Sequence, residues 1–168
     1  LKIVSERTSK KIRAFIIGDV EERKNIETKA TELGIPFVDS TKTNKKSLLT
    51  FTSWIKEIDV ALAGSDIVAL TSYNEGTPVS LIEAQAANKP IVTTNVGGIE
   101  NVVLPEQTAL LCENNNLKQF SESLIKLIED EKIRMTMSEK GWQHVKDKFH
   151  YTRLVKDMEN LYNSFKQP

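Results

Sequence analysis

A doubly wound α/β fold with a mostly parallel sheet is predicted by three features of the sequence. Runs of four to six largely apolar residues recur along the chain, bounded by Gly, Pro, Asn or Asp. Their apolar residues are consecutive rather than alternating, as in strands covered by helices on both faces. Stretches with helical spacing lie between the runs, giving the strand-helix alternation of parallel βα units.

The elements follow in order. Ile12-Arg13-Ala14-Phe15-Ile16-Ile17 reads as a strand closed by Gly18-Asp19, and residues 20–33 as a charged helix ended by Gly34. Ile35-Pro36-Phe37-Val38 is a second strand, and residues 39–46 are polar, as surface loops are. Leu48-Leu49-Thr50-Phe51 is a third strand, residues 58–63 are helical, and Ile67-Val68-Ala69-Leu70-Thr71 is a buried strand. Thr77 suits an N-cap and Pro78 the first position of a helix over 79–88, where its missing N–H costs nothing. Pro90-Ile91-Val92-Thr93-Thr94 is the next strand, Gly97-Gly98 a tight turn, 99–104 a short helix, and Ala109-Leu110-Leu111-Cys112 the last strand.

The remainder is helical. Leu117, Phe120, Leu124, Leu127 and Ile128 make one apolar stripe; Tyr151, Leu154, Val155, Met158, Leu161 and Phe165 make another. This tail is expected to pack on the sheet or to cross to a second domain.

Composition narrows the class. A chain of 168 residues suits one domain with a real core. Lys+Arg and Asp+Glu balance at 23 each, so no global basic field favours nucleic acid or an anionic membrane. The most apolar stretch, 60–70, is interrupted and far shorter than the roughly 20 residues that span a bilayer. Cys112 has no second cysteine to pair with and is read as a buried thiol, which fits a reducing, cytoplasmic compartment. The opening Leu1-Lys2-Ile3-Val4 has no signal-peptide pattern and reads as the inside of a helix, so the chain is expected to be part of something larger.

In an open parallel sheet, ligands bind beyond the carboxyl ends of the strands. The richest loop there is Ser72-Tyr73-Asn74-Glu75-Gly76-Thr77-Pro78, leading into Val79-Ser80-Leu81-Ile82-Glu83. The first amides of this helix, at Val79 and Ser80 with Gly76 just before, face outward where the macrodipole adds roughly half a positive charge, a site for a diphosphate. Gly76 permits close backbone approach or a positive φ, and it is equally an ordinary turn glycine. Glu75 stands outside the helix end and Glu83 about a turn and a half inside it, leaning back toward it. Carboxylates repel a diphosphate, so on the same ligand they would accept hydrogen bonds from neutral hydroxyls, such as those of sugars.

These residues resemble a known family. Glu75-Gly76-Thr77-Pro78-Val79-Ser80-Leu81-Ile82-Glu83 is similar to the E-x7-E signature of the retaining family 4 (group 1) glycosyltransferases. Phe51-Thr52-Ser53-Trp54 resembles the family's F-x-G-x segment, Ala63-Gly64-Ser65-Asp66-Ile67 its A-x-S-D-hydrophobic segment, and Glu83-Ala84-Gln85-Ala86-Ala87-Asn88-Lys89-Pro90-Ile91-Val92 its E-A-x-A-x-G-x-P run, followed by Val96-Gly97-Gly98. Ser53 and Asn88 stand where the family has glycine, and Glu100-Asn101 replaces a Pro-Glu order.

The resemblance implies the Rossmann-like C-terminal, donor-binding half of a two-domain GT-B enzyme with a helical tail. It implies a UDP-, GDP- or ADP-sugar as donor substrate, no cofactor, and retention at the anomeric carbon. Glu75 would be the catalytic carboxylate on the donor sugar's hydroxyls, and Glu83 would hold the ribose. The segment from Gly76 through Thr77, Pro78 and Val79 to Ser80, with the free amides it carries, would surround sugar and diphosphate, and Gly18 and the Trp54 segment would border the base. Trp54 is alternatively a core residue. The family's diphosphate-holding Arg and Lys would precede Leu1, and an N-terminal domain would supply a sugar or lipid-linked acceptor, leaving this chain alone inactive. His144 and His150 are expected to be surface or packing residues rather than bases. The sequence contains no Asp-x-Asp pair and no metal-ligand spacing, which favours metal-independent transfer. The rival readings are a non-catalytic nucleotide sensor or interaction domain, and another enzyme of this fold such as a nucleotide-sugar epimerase.

Overall fold

The computed structural model describes residues 1–19 and 22–165. Its internal contacts form two compact units, Leu1–Ile58 and Asp59–Pro168.

In the first unit α1 (Lys2–Arg7) precedes β1 (Ala14–Ile17), α2 (Arg23–Glu32), β2 (Phe37–Asp39) and β3 (Leu49–Ser53). The strands pair in parallel in the order β1-β3-β2, with Phe15 and Val38 both in register with Thr50. Ala14 and Ile16 pack with Ala30, Ile35, Leu49 and Phe51, and the Phe37 ring meets Phe51 edge-on at 5.5 Å. Strand β2 starts two residues later than expected because Pro36 has no N–H to give to the ladder. The expected helix start at Val20 lies outside the described residues.

Coverage on both faces does not hold for β1. Its side chains alternate, and Phe15 and Ile17 are 51% and 43% exposed. Among the described residues of this unit, α1 and α2 are the only helices, and the core gathers on the face of Ala14 and Ile16.

The second unit contains α3 (Ile58–Ala63, whose first residue ends the first unit), β4 (Val68–Leu70), α4 (Val79–Ala86), β5 (Ile91–Thr94) and β6 (Ala109–Cys112), then α5 (Leu117–Glu129), α6 (Glu131–Phe149) and α7 (Tyr151–Ser164). Its strands are parallel in the order β4-β5-β6, and all four residues of the central β5 are buried. Val92, Leu110, Cys112, Leu127 and Met137 form the core, with Phe120 and Leu124 of the first apolar stripe packed on it. Burial pushes the Cys112 thiol pKa up. The expected 99–104 helix is a single 3-10 turn, Ile99–Asn101, since Pro105 disfavours helical geometry at Leu104. The second stripe does not pack on the sheet: Tyr151, Leu154, Val155, Met158 and Leu161 on α7, and Phe165 at its C-cap, are all exposed.

Candidate functional site

After β4 the chain runs through residues 71–78 into α4. Pro78, at φ −70° and ψ 100°, is the N-cap, and no side chain caps this helix. The Thr77 cap is therefore corrected by one residue. Proline fixes φ but leaves ψ free, so it fits an extended cap as readily as a first helical position. The Pro78 carbonyl accepts from the amides of Leu81 (3.1 Å) and Ile82 (3.4 Å). Val79 and Ser80, the first two helical residues, have no carbonyl one turn behind to receive their N–H groups, so both donors and the dipole face out of the helix end.

Both candidate carboxylates belong to this end. Glu75 is half-buried and accepts a 2.6 Å hydrogen bond from the Ser72 hydroxyl. The Thr94 hydroxyl donates to the Ser72 carbonyl at 2.7 Å, tying the loop to the end of β5. Glu83 is half-buried in the second turn of α4. Gly76 does not adopt a positive φ, and a β-carbon there would meet nothing within 4 Å. That removes the positive φ and leaves close approach from outside or an ordinary turn glycine.

Three residues not singled out for a role in the sequence support this loop: Ser72, Thr94 and Gly98, whose amide donates to the Glu75 carbonyl at 2.8 Å. A serine three residues before a glutamate is too common a spacing to signal this alone. The Gly97-Gly98 pair was legible as a turn, but its contact with a loop some twenty residues earlier is tertiary.

The structure brings together Glu75, Gly76, Thr77, Pro78, Val79, Ser80 and Glu83 in the second unit, while Gly18 lies in the first. Gly18, at φ 110°, donates to the Ser53 carbonyl at 2.9 Å. Trp54 is 79% exposed, which overturns its reading as a core residue. The left-handed Ser53 (φ 58°) ends β3 and turns the chain out of the sheet just before it. His144 donates from Nε2 to the Val102 carbonyl at 3.0 Å, and the exposed His150 caps α7 by accepting from the Thr152 amide.

The family described as glycosyl transferases group 1 matches residues 1–144. The chain belongs to this family. Among its relatives, the capsular polysaccharide biosynthesis glycosyltransferase CapM of Staphylococcus aureus is 33% identical over 100 residues, 60% of this chain and 26% of that protein. The match thus spans about a quarter of the length of the first curated relatives. The C-terminal domain of the group 1 protein LpcC from Francisella tularensis superposes with a TM-score of 0.73 at 22% identity, over 88% of this chain and 74% of that one. Anabaena HepE in complex with UDP gives a TM-score of 0.82 at 20% identity, over 98% of this chain and 44% of that one. The fold is thus that of the C-terminal domain of GT-B glycosyltransferases.

Proposed function

We propose that this chain is the donor-binding domain, residues 1–168, of a retaining, metal-independent family 4 glycosyltransferase that takes a hexosyl group from a nucleoside diphosphate sugar. The observation that carries the reading is the end of α4. Two unpaired helical amides meet the dipole's positive end there, and Glu75 and Glu83 flank it. Amides and dipole suit the diphosphate as donor and as leaving group, because they stabilise the negative charge that develops on it. Glu75, held by Ser72, accepts hydrogen bonds from the sugar hydroxyls, and Glu83 from the ribose. HepE with UDP supports a uridine donor on this fold, and CapM supports a polysaccharide pathway. The acceptor, a sugar or lipid-linked glycan, would be held by an N-terminal domain at the cytoplasmic face of the membrane, so this chain alone transfers nothing.

A titration of the 168-residue chain with UDP-, GDP- and ADP-sugars, followed by calorimetry or NMR, tests the reading. One nucleotide class is expected to bind, and Glu83→Ala to weaken it about tenfold or more, as loss of hydrogen bonds to a charged group does. Gly76→Ala meets no protein atom, so it is expected to leave the fold intact and weaken the same ligand. Failure of every nucleotide sugar to bind at millimolar concentration, or binding indifferent to both substitutions, overturns the assignment and favours a sensor or interaction domain.

A further inference from the structure

The backbone of the 75–77 segment is held from behind by Gly97 and Gly98. A β-carbon on Gly97 would run into the Glu75 carbonyl oxygen and come within 3.0 Å of its carbon; one on Gly98 would do the same to the carbonyl of Gly76. The Gly98 amide also donates to the Glu75 oxygen at 2.8 Å. Two consecutive carbonyls of the loop therefore lie against two consecutive glycine α-carbons. The atoms in the way are backbone, so no side chain can swing aside.

A trans peptide is planar, with its C=O and N–H pointing in opposite directions. Turning the Glu75 and Gly76 carbonyls onto the glycine turn therefore turns the amides of Gly76 and Thr77 away from it. Neither amide donates to a backbone carbonyl or a side chain among the described residues. The Cβ-free space at Gly76 lies open beside them.

We infer that Gly97 and Gly98 are positioning residues: they lock the two peptides that follow Glu75 so that the Gly76 and Thr77 amides join those of Val79 and Ser80 as a single set of anion donors. The functional consequence rests on the donor-site reading above; the geometric lock does not. Gly97 has a positive φ of 54°, but that alone does not demand glycine, since Asn88 and Asn115 hold similar values. Gly34, at φ 65° with nothing within 4 Å of an added β-carbon, separates backbone conformation from contact. Asparagine, which tolerates left-handed geometry, suits Gly34 and collides at Gly97.

The test compares Gly98→Ala, Gly97→Asn and Gly34→Asn in the 168-residue chain by amide NMR without ligand, then by titration with the nucleotide sugar the wild type binds. Gly98→Ala and Gly97→Asn are expected to shift the amides of residues 75–80, to speed exchange of the residue 98 amide, and to weaken binding about tenfold or more, as loss of hydrogen bonds to a charged group does. Gly34→Asn is expected to do none of these. Shifts confined to residues 96–101, with 75–80 unmoved, overturn the lock. If the glycine variants do not fold, the wild type still decides: a through-hydrogen-bond coupling between the Gly98 nitrogen and the Glu75 carbonyl carbon is expected, and its absence refutes the inference. If the wild type binds no nucleotide sugar, the donor reading fails while the ligand-free shifts still judge the lock.

Discussion

The two units build a three-stranded parallel sheet by different means. In the second, the central strand Ile91–Thr94 is buried along its whole length, and the helices on it add a dry core of Val92, Leu110, Leu127 and Met137. In the first, β1 shows one face to solvent, and a polar cluster lies at the carboxyl end of β2. There Arg23 bonds to Asp39 at 2.7 Å and Glu27 at 3.0 Å while its guanidinium lies 5.2 Å over the Phe51 ring. One unit is held chiefly by area removed from water, which is insensitive to pH; the other adds charges, which are not.

The largest test of that contrast is Leu127→Ala. Leu127 is fully buried, and its truncation leaves a cavity in the cluster it forms with Val92, Leu110, Cys112 and Met137. A loss of roughly 2–5 kcal/mol is expected from denaturant unfolding followed at amides of the second unit, and it is expected to be equal at pH 7 and pH 4. A loss that changes with pH across that range would break the comparison.

Acid is the next lever, and it acts on the first unit. The Thr41 hydroxyl and amide, with Lys42 and Arg23, hold the Asp39 carboxyl well below the usual carboxylate range. A carboxyl depressed on folding stabilises the fold above its unfolded pKa and loses that contribution as pH falls through the ordinary carboxylate range toward its folded value. Protection of first-unit amides, taken relative to their intrinsic exchange rates, should therefore fall as pH drops below about 5, and Asp39→Asn should flatten that dependence while lowering stability at pH 7. Equal acid sensitivity in both units, with Asp39→Asn changing neither, would remove charge as the distinction.

Much of this was legible in the sequence, and the exceptions have physical causes. Ala109-Leu110-Leu111-Cys112 falls on β6 residue for residue, because an apolar run of four between turn signals has the length of a strand and is too short for a helix. The E-x7-E segment also lies where expected, at the start of a helix beyond a strand. Burial pattern was less legible: Phe15 and Ile17 look like core, yet among the described residues both are exposed, on the face of β1 opposite Ala14 and Ile16. Trp54 failed for a local reason, the left-handed residue before it. The loop's support by Gly97 and Gly98 was hidden because nothing in either segment encodes their meeting.

The smallest expected effects concern two positions where the family has glycine and this chain does not. Both keep the backbone a glycine would favour: Ser53 in the first unit at φ 58° and Asn88 in the second at φ 55°. For an ordinary L-residue that conformation costs about 1–2 kcal/mol, whereas asparagine visits it readily. Glycine removes the strain but adds unfolded-state entropy worth about 0.5–1 kcal/mol. At Ser53 the relief exceeds the cost, less whatever the exposed 3.2 Å bond from its hydroxyl to Asp19 contributes. Ser53→Gly is therefore expected to stabilise the first unit by about 0.5 kcal/mol, while Asn88→Gly leaves the second unchanged or slightly weaker. Denaturant midpoints of the two variants read this directly. A gain at Asn88 larger than at Ser53 would mean that the left-handed turn after α4 is the more strained of the two, and the closely packed unit would then be the one storing strain, at the end of α4 opposite Pro78.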